Sequence, residues 1–208
     1  MDFGHPLRVV TPTLDADVLS VLARAEIELT GREIQRLGGH GSHQGVRNAA
    51  ERLVREGILE RRTAGNAHLY RLNREHVAAQ WVEKLATLPE QVVERLSQAI
   101  ARWDEPPVLA MLFGSTATGQ ATSASDLDLL IVRPEGCRPD GPAWTRQLGD
   151  LQTLATACTG NDARILEYGH KEVLSDPDEP VLTDALKEGI ELYGSRHTLR
   201  RQAKESAT

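Results

Sequence analysis

Apolar residues at helical spacing open the chain. Leu14, Val18, Val21 and Leu22 follow Thr13, a candidate cap, and predict a helix over 14–25. Thr30 precedes a shorter helix carrying Ile34 and Leu37, and "GGHGSHQG" reads as a turn. Ser42 then caps a third helix, whose one face holds Val46, Ala49, Ala50, Leu53 and Val54 and which Gly57 stops. "ILERRTAGNAHLYRL" reads as two short strands joined at Ala64-Gly65-Asn66. Helical spacing returns from Arg74 to Arg102, with a break at Pro89 that predicts two helices, over 74–86 and 89–103. "DEPP" at 104–107 reads as a linker. Two continuous apolar runs follow, "VLAMLFG" (108–114) and "LDLLIV" (127–132), each with the pattern of a buried strand. "NDARILEY" (161–168) is a third strand, and "SRHTLRRQAKESAT" a polar, mobile tail.

Composition narrows the class. The chain has 208 residues, 40% hydrophobic and 26% charged, which is ordinary for a soluble globular protein. No apolar run approaches the ~20 residues of a membrane span, and the N-terminus lacks the regions of a signal peptide. Cys137 and Cys158 are far apart without a CxxC pair, and read as thiols of a reducing cytoplasm. The net charge of −6 comes entirely from the second half, yet residues 32–74 hold nine arginines against four acids. A locally basic segment in an acidic protein is a phosphate footprint or a solvated arginine face.

Three helices, a Gly-rich turn before the third and a hairpin after it resemble a winged helix-turn-helix over residues 13–73. On the third helix, Gln44, Arg47, Asn48, Glu51 and Arg55 share the polar face where a major-groove reader carries its donors. Arg61 and Arg62 enter the hairpin where a wing would meet phosphates. The resemblance implies DNA contact through Gln44, Arg47, Asn48, Arg61 and Arg62. The alternative is a winged helix used for packing or dimerisation alone.

The segment "LFGSTATGQATSASDLDLLIV" (112–132) holds the densest chemistry. Gly114-Ser115 ends one strand and begins a short helical stretch to about Gln120, where free N–H groups suit an anion. Asp126 and Asp128 are two apart on an extended segment, so both side chains leave the same face. Two carboxylates side by side repel one another unless a cation bridges them, and hard divalent ions do so through oxygen ligands. Spaced Gly-Ser followed by Ser-Asp-x-Asp resembles the signature of the DNA polymerase β nucleotidyltransferase superfamily, particularly its small stand-alone members. The matching positions are Gly114, Ser115, Gly119, Ser125, Asp126 and Asp128, within a resemblance that covers residues 105–193 and includes "LKEGIELYG".

That resemblance implies an NTP substrate whose phosphates are held at Gly114, Ser115, Gly119 and Ser125. It implies two Mg²⁺ ions on Asp126, Asp128 and a third carboxylate from a later strand. Glu167, which closes the apolar run of 161–168, is the first candidate and Asp162 the second; alternation puts them on opposite faces. The sequence departs from the family twice: positions 163–166 hold no acid, and Thr118 stands where small members often carry Arg.

The other constellations are weaker. His40 and His43 lie on a turn without acid or Cys companions, so no metal site is expected there. Ser115 has no nearby His with an acid partner for nucleophilic hydrolysis. Trp81, Trp103 and Trp144 read as core or interface residues, and Asp176, Asp178 and Glu179 as a solvated loop.

The expected fold class is α+β. A winged helix-turn-helix (1–73) and a helical connector (74–104) lead to a nucleotidyltransferase α/β domain with a small mixed sheet (105–194) and a polar tail (195–208). The expected activity is Mg²⁺-dependent transfer of a nucleoside monophosphate to a hydroxyl acceptor. By resemblance the acceptor is a partner toxin protein or an RNA, and the further partners are DNA and a second copy of the chain. The competing reading is a DNA-binding regulator or antitoxin whose nucleotidyltransferase fold is inactive.

Overall fold

The computed structural model describes residues 1–176 and 179–206, with side chains described through Gln202. It divides into two compact units, one built from Asp2 and Gly4–Pro89, the other from Met1, Phe3 and the chain from Glu90 onward.

In the first unit a 3₁₀ turn (Pro6–Val9) leads to α1 (Leu14–Arg24), β1 (Leu29–Thr30), α2 (Gly31–Gly38), α3 (His43–Arg55), β2 (Leu59–Ala64), β3 (Ala67–Leu72) and α4 (Ala79–Ala86). Local chemistry sets these boundaries. Glu33 N donates to Thr30 Oγ1 at 3.3 Å while Thr30 N donates to Glu33 Oε2 at 2.7 Å, a reciprocal cap for α2. Ser42 Oγ caps α3 by accepting from Gly45 N at 3.0 Å. Thr13 makes no such cap bond to α1; its hydroxyl donates to Asp15 Oδ2 instead. The Gly-rich turn has a packing reason: at Gly41, where φ is +75°, a Cβ would lie 2.6 Å from Leu14 Cδ2. The strands form an antiparallel sheet in the order β1-β3-β2. Leu22, Ile34, Ala50, Tyr70 and Leu72 are central in the core beneath it.

The stretch read as a connector divides between the units. Ala79, Val82 and Ala86 of α4 join the first core, and Arg24 Nη2 donates to Ala86 O at 2.6 Å. Trp81 is not a core residue: it is 58% exposed, with Lys84 Nζ 4.5 Å from its ring. The next helix, α5 (Leu88–Ile100), places Val92, Leu96 and Ile100 in the second core.

The second unit continues with β4 (Leu109–Phe113), α6 (Gly114–Ala117), β5 (Leu127–Arg133), α7 (Pro142–Thr159), β6 (Ala163–Gly169), α8 (His170–Ser175), α9 (Pro180–Glu188), β7 (Ile190–Gly194) and α10 (Arg196–Ser206). Its sheet is mixed, in the order β6-β5-β4-β7, with only β5 and β6 parallel. The inner strands are buried on both faces, which explains their continuous apolar runs. Leu127, Leu129 and Ile131 pack with Trp144, Leu151 and α5 on one face; Leu130 and Val132 pack with Val173, Leu182 and Leu186 on the other. Trp103 meets buried Trp144 edge-on at 5.5 Å.

Of the residues read as a mobile tail, Arg196–Ser206 form a docked helix. Leu199, an apolar position in a polar run, is 1% exposed, and Arg200 Nη2 donates to Leu186 O at 3.1 Å. In the acidic loop, Glu179 is a cap: its carboxylate accepts from Leu182 N and from the Tyr168 hydroxyl. Pro177 and Asp178 lie outside the described residues.

Candidate functional site

Gly114 is where β4 ends and the chain must turn sharply. Its φ of +69° is left-handed, and a Cβ there would lie 2.8 Å from Asp128 Oδ2. Glycine therefore permits both the turn and the close approach of an aspartate carboxylate. The register confirms the approach, since Asp128 in β5 sits opposite Phe113 in β4. Gly114→Ala should cost about 1–2 kcal/mol from the left-handed backbone alone and displace Asp128 as well. A urea melt of the variant measures the first effect, and its activity relative to wild type measures the second.

The segment that delivers the aspartates is clamped from below. Asn161, 3% exposed, donates from Nδ2 to Ser125 O at 2.8 Å and to Thr122 O at 3.2 Å. Ser125 Oγ accepts from Thr122 N, and the buried Thr116 hydroxyl donates to Asp126 O. Ser125 is thus a loop-fixing residue in this structure. Gly119 sits at φ +70° with open space around it. Ser115 is half-buried, and its carbonyl accepts from the N–H groups of Gln120 and Ala121.

Asp126 precedes β5 and Asp128 lies within it, on the same side of the strand. Burial and the neighbouring Asp126 charge raise the Asp128 carboxyl above its ordinary value, against a smaller lowering by Arg164. Arg164 is the residue directly beside Asp128 in β6. Its Nη1 lies 2.8 Å from Asp126 Oδ2, and its Nε 4.0 Å from Asp162 Oδ2. A guanidinium therefore stands between the carboxylates of Asp126 and Asp162, in the part of β6 where the sequence offers no acid.

Glu167 does not join the aspartates. It pairs with Ile131, three residues further along the parallel ladder, and alternation turns it to the opposite face. There its Oε1 accepts from Arg133 Nε at 2.7 Å and from Trp144 Nε1 at 3.1 Å. Its role is to pair a half-buried arginine and to satisfy a buried indole N–H. Asp162 is at the correct end of the strand but largely exposed. Among the described residues, no further His, Cys, Asp or Glu completes a three-ligand group around Asp126 and Asp128. The two carboxylates offer oxygen ligands for one hard cation, while the Arg164 guanidinium, itself a cation, has no lone pair to add; a second ion would have Asp162 alone to draw on, across Arg164.

In the first unit, Gln44, Arg47 and Asn48 are exposed on α3, with Gln44 Nε2 donating to Asn48 Oδ1 at 2.8 Å. Arg47, Arg32, His43 and His68 border a groove of about 530 Å³ that also reaches the hairpin. Arg61 and Arg62 are not free phosphate donors. Arg61 Nη1 donates to Glu51 Oε2 at 2.8 Å, and Arg62 Nε to Glu28 Oε2 at 2.9 Å. Glu51 also accepts from buried Tyr70, whose phenol is pushed up to about 12 by burial and by that hydrogen bond.

The chain is 20% identical to a solved "toxin-antitoxin with AMP-PNP" (TM-score 0.36), covering 57% of this chain and 83% of that one. Two mutants of the toxin-antitoxin MntA-HpeT are 13% and 18% identical, at TM-scores of 0.39 and 0.35, and cover 55% and 57% of this chain and 83% and 82% of theirs. No curated protein sequence matches. The family model described as "Nucleotidyltransferase domain" matches residues 93–172, a span that holds β4, the Gly114 turn, both aspartates and β6. Residues 93–172 of this chain are thus similar to a nucleotidyltransferase domain.

Proposed function

We propose that the protein transfers a nucleoside monophosphate from an NTP to a hydroxyl acceptor at Asp126 and Asp128, with Mg²⁺ as the metal. The observation that carries this reading is the contact of Gly114 with Asp128, with Asp126 on the same face, inside the matched domain. The residues fit a divalent cation. Asp128 is raised because a second carboxylate stands beside it in a partly buried place, and a shared cation would relieve both effects. When bound, such an ion polarises the phosphoryl oxygens and favours the deprotonated attacking hydroxyl.

The rest belongs to the chain. The acceptor hydroxyl gives its proton to solvent, its oxygen forms a bond to the α-phosphorus, the bond from that phosphorus to the bridging oxygen of the β-phosphate breaks, and pyrophosphate leaves with that oxygen. Gly114 leaves room for phosphate beside the carboxylates. Asn161 and Thr116 hold the segment before β5, so the aspartates do not have to be ordered during the reaction. Arg164 neutralises Asp126 and would have to give up that contact, wholly or in part, for the carboxylate to hold a metal ion. That same ion pair favours a second reading: a nucleotide-binding or partner-binding fold that does not transfer. Incubation with labelled NTPs, Mg²⁺ and cell lysate separates the two, since only an enzyme leaves label on an acceptor. A partner protein or an RNA is the acceptor class that the sequence resemblance suggests.

The helix and strand order of the first unit, with its three-stranded sheet, supports a winged helix that contacts DNA. Each neutralised phosphate contributes about −0.9 to the slope of log K against log salt. Arg47→Ala should flatten that slope by about 0.9 if it contacts one phosphate. Arg61→Ala and Arg62→Ala should each do less, because these side chains are already held by Glu51 and Glu28. Gel shifts at two salt concentrations rank the three; an equal loss in all would show that the ion pairs open on binding.

A further inference from the structure

We infer that the first unit holds a second, separate metal site, for a zinc-type divalent transition ion, built from His5, His40, Asp17 and the carbonyl of Gly38. His5 Nε2 lies 2.9 Å from Gly38 O, His40 Nδ1 lies 3.0 Å from the same oxygen, and the two ring nitrogens are 3.1 Å apart. Asp17 completes the group: one ligand atom from each of His5, Asp17 and His40 lies within 4.8 Å of the others. Among the described residues this is the one such three-ligand cluster.

Hydrogen bonds alone serve this triangle poorly. If both imidazoles donate to Gly38 O, two N–H dipoles lie side by side at 3.1 Å. If one imidazole donates to the other, the accepting nitrogen has no proton for the carbonyl and two lone pairs face each other. A cation at the centre receives all three lone pairs at once. Metal–nitrogen bonds of about 2.0–2.1 Å in a tetrahedron separate the ligand atoms by roughly 3.3 Å, close to the 2.9, 3.0 and 3.1 Å edges among the two rings and Gly38 O. Two imidazoles with oxygen donors suit zinc and its neighbours better than Mg²⁺ or Ca²⁺.

The surroundings have the features of a supporting shell. Asp17 is 3% exposed, and Arg8 holds it with two bonds of 2.8 Å, which fixes the carboxylate as an outer partner does. The other ring nitrogen of His5, Nδ1, faces Asp2 Oδ1 at 3.3 Å, which orients the ring for Nε2 coordination. Ser20, one turn along α1 from Asp17, is 7% exposed, and its hydroxyl is the one buried side-chain polar atom among the described residues without a partner. It lines the same cavity of about 260 Å³ as His5, Asp17 and Gly38. Such an ion ties the segment before α1 to the turn that leads into α3.

Metal-free full-length protein titrated with Zn²⁺ against a chromophoric chelator, with Co²⁺ absorption as the geometric readout, tests the site. The expected result is one sub-micromolar Zn²⁺ per chain, weakened at least ~10-fold by His5→Gln and by His40→Gln. Asp128→Asn, in the other unit, should leave that affinity unchanged. His40 is exposed, so His40→Gln should fold as wild type does, which far-UV circular dichroism checks. No Zn²⁺ binding, or binding equally tight in both histidine variants, would overturn the site.

Discussion

Asp128→Asn is expected to reduce nucleotidyl transfer at least ~10²-fold, the scale of losing a group that acts at the reacting centre, while the fold stays intact. The amide keeps the shape of the carboxylate and removes the charge on which a cation depends. Its effect on stability should run the other way. A carboxyl whose value is raised on folding contributes stability that is full below the ordinary carboxylate range and is lost as pH rises through the raised value. The metal-free Asn variant should therefore match or exceed wild type in Tm at neutral pH. That advantage should shrink as the pH falls through the carboxylate range. Added Mg²⁺ and NTP should raise the Tm of wild type and not of the variant. Thermal melts at several pH values, with and without ligand, read all three effects. A variant that kept full Mg²⁺-dependent nucleotide binding would remove the aspartate pair from the site.

Glu167 should show the opposite profile, with a large structural effect and a small catalytic one. Glu167→Ala leaves Arg133, 16% exposed, without its 2.7 Å partner and the buried Trp144 indole without an acceptor. Leaving such donors unmet should cost about 1–3 kcal/mol, below the figure for a fully buried ion pair because Glu167 itself reaches solvent. Glu167→Gln still offers an acceptor oxygen to Trp144, so it should fold and transfer within a few-fold of wild type. A urea melt of the Ala variant and an activity assay of the Gln variant check the two halves. Loss of transfer by Glu167→Gln at unchanged stability would place the carboxylate back in the reaction.

Glu167 also shows where sequence reading stopped. Strict alternation along 161–168 put Glu167 on one face and Asp162 and Arg164 on the other, and the structure has that alternation. Which face meets Asp128 depends on the parallel register of β5 with β6, a pairing across more than thirty residues that no local pattern encodes. Elements closed by local chemistry were legible. The caps at Thr30 and Ser42, the turn at Gly65, the two apolar strands and the shared face of Asp126 and Asp128 all follow from neighbours a few residues apart. The helix in the tail gave too sparse a signal for periodicity because its buried leucine, Leu199, stands in a polar run and its other holds are hydrogen bonds such as Arg200 to Leu186 O. Asn161 and Arg164 gave no motif signal, since a loop clamp and a cross-strand counter-ion are defined only by the residues they reach. His40 lacked companions in sequence because its partner, His5, lies thirty-five residues away.

Side-by-side reactions with α-labelled and γ-labelled NTP, in wild type and in Asp126→Asn and Asp128→Asn, test nucleotidyl transfer at the aspartate pair most directly. The expected result is Mg²⁺-dependent label on an acceptor from the α-labelled NTP alone, with pyrophosphate released, and neither product from the two variants. Acceptor label from the γ-phosphate, or equal transfer by wild type and both variants, would contradict it.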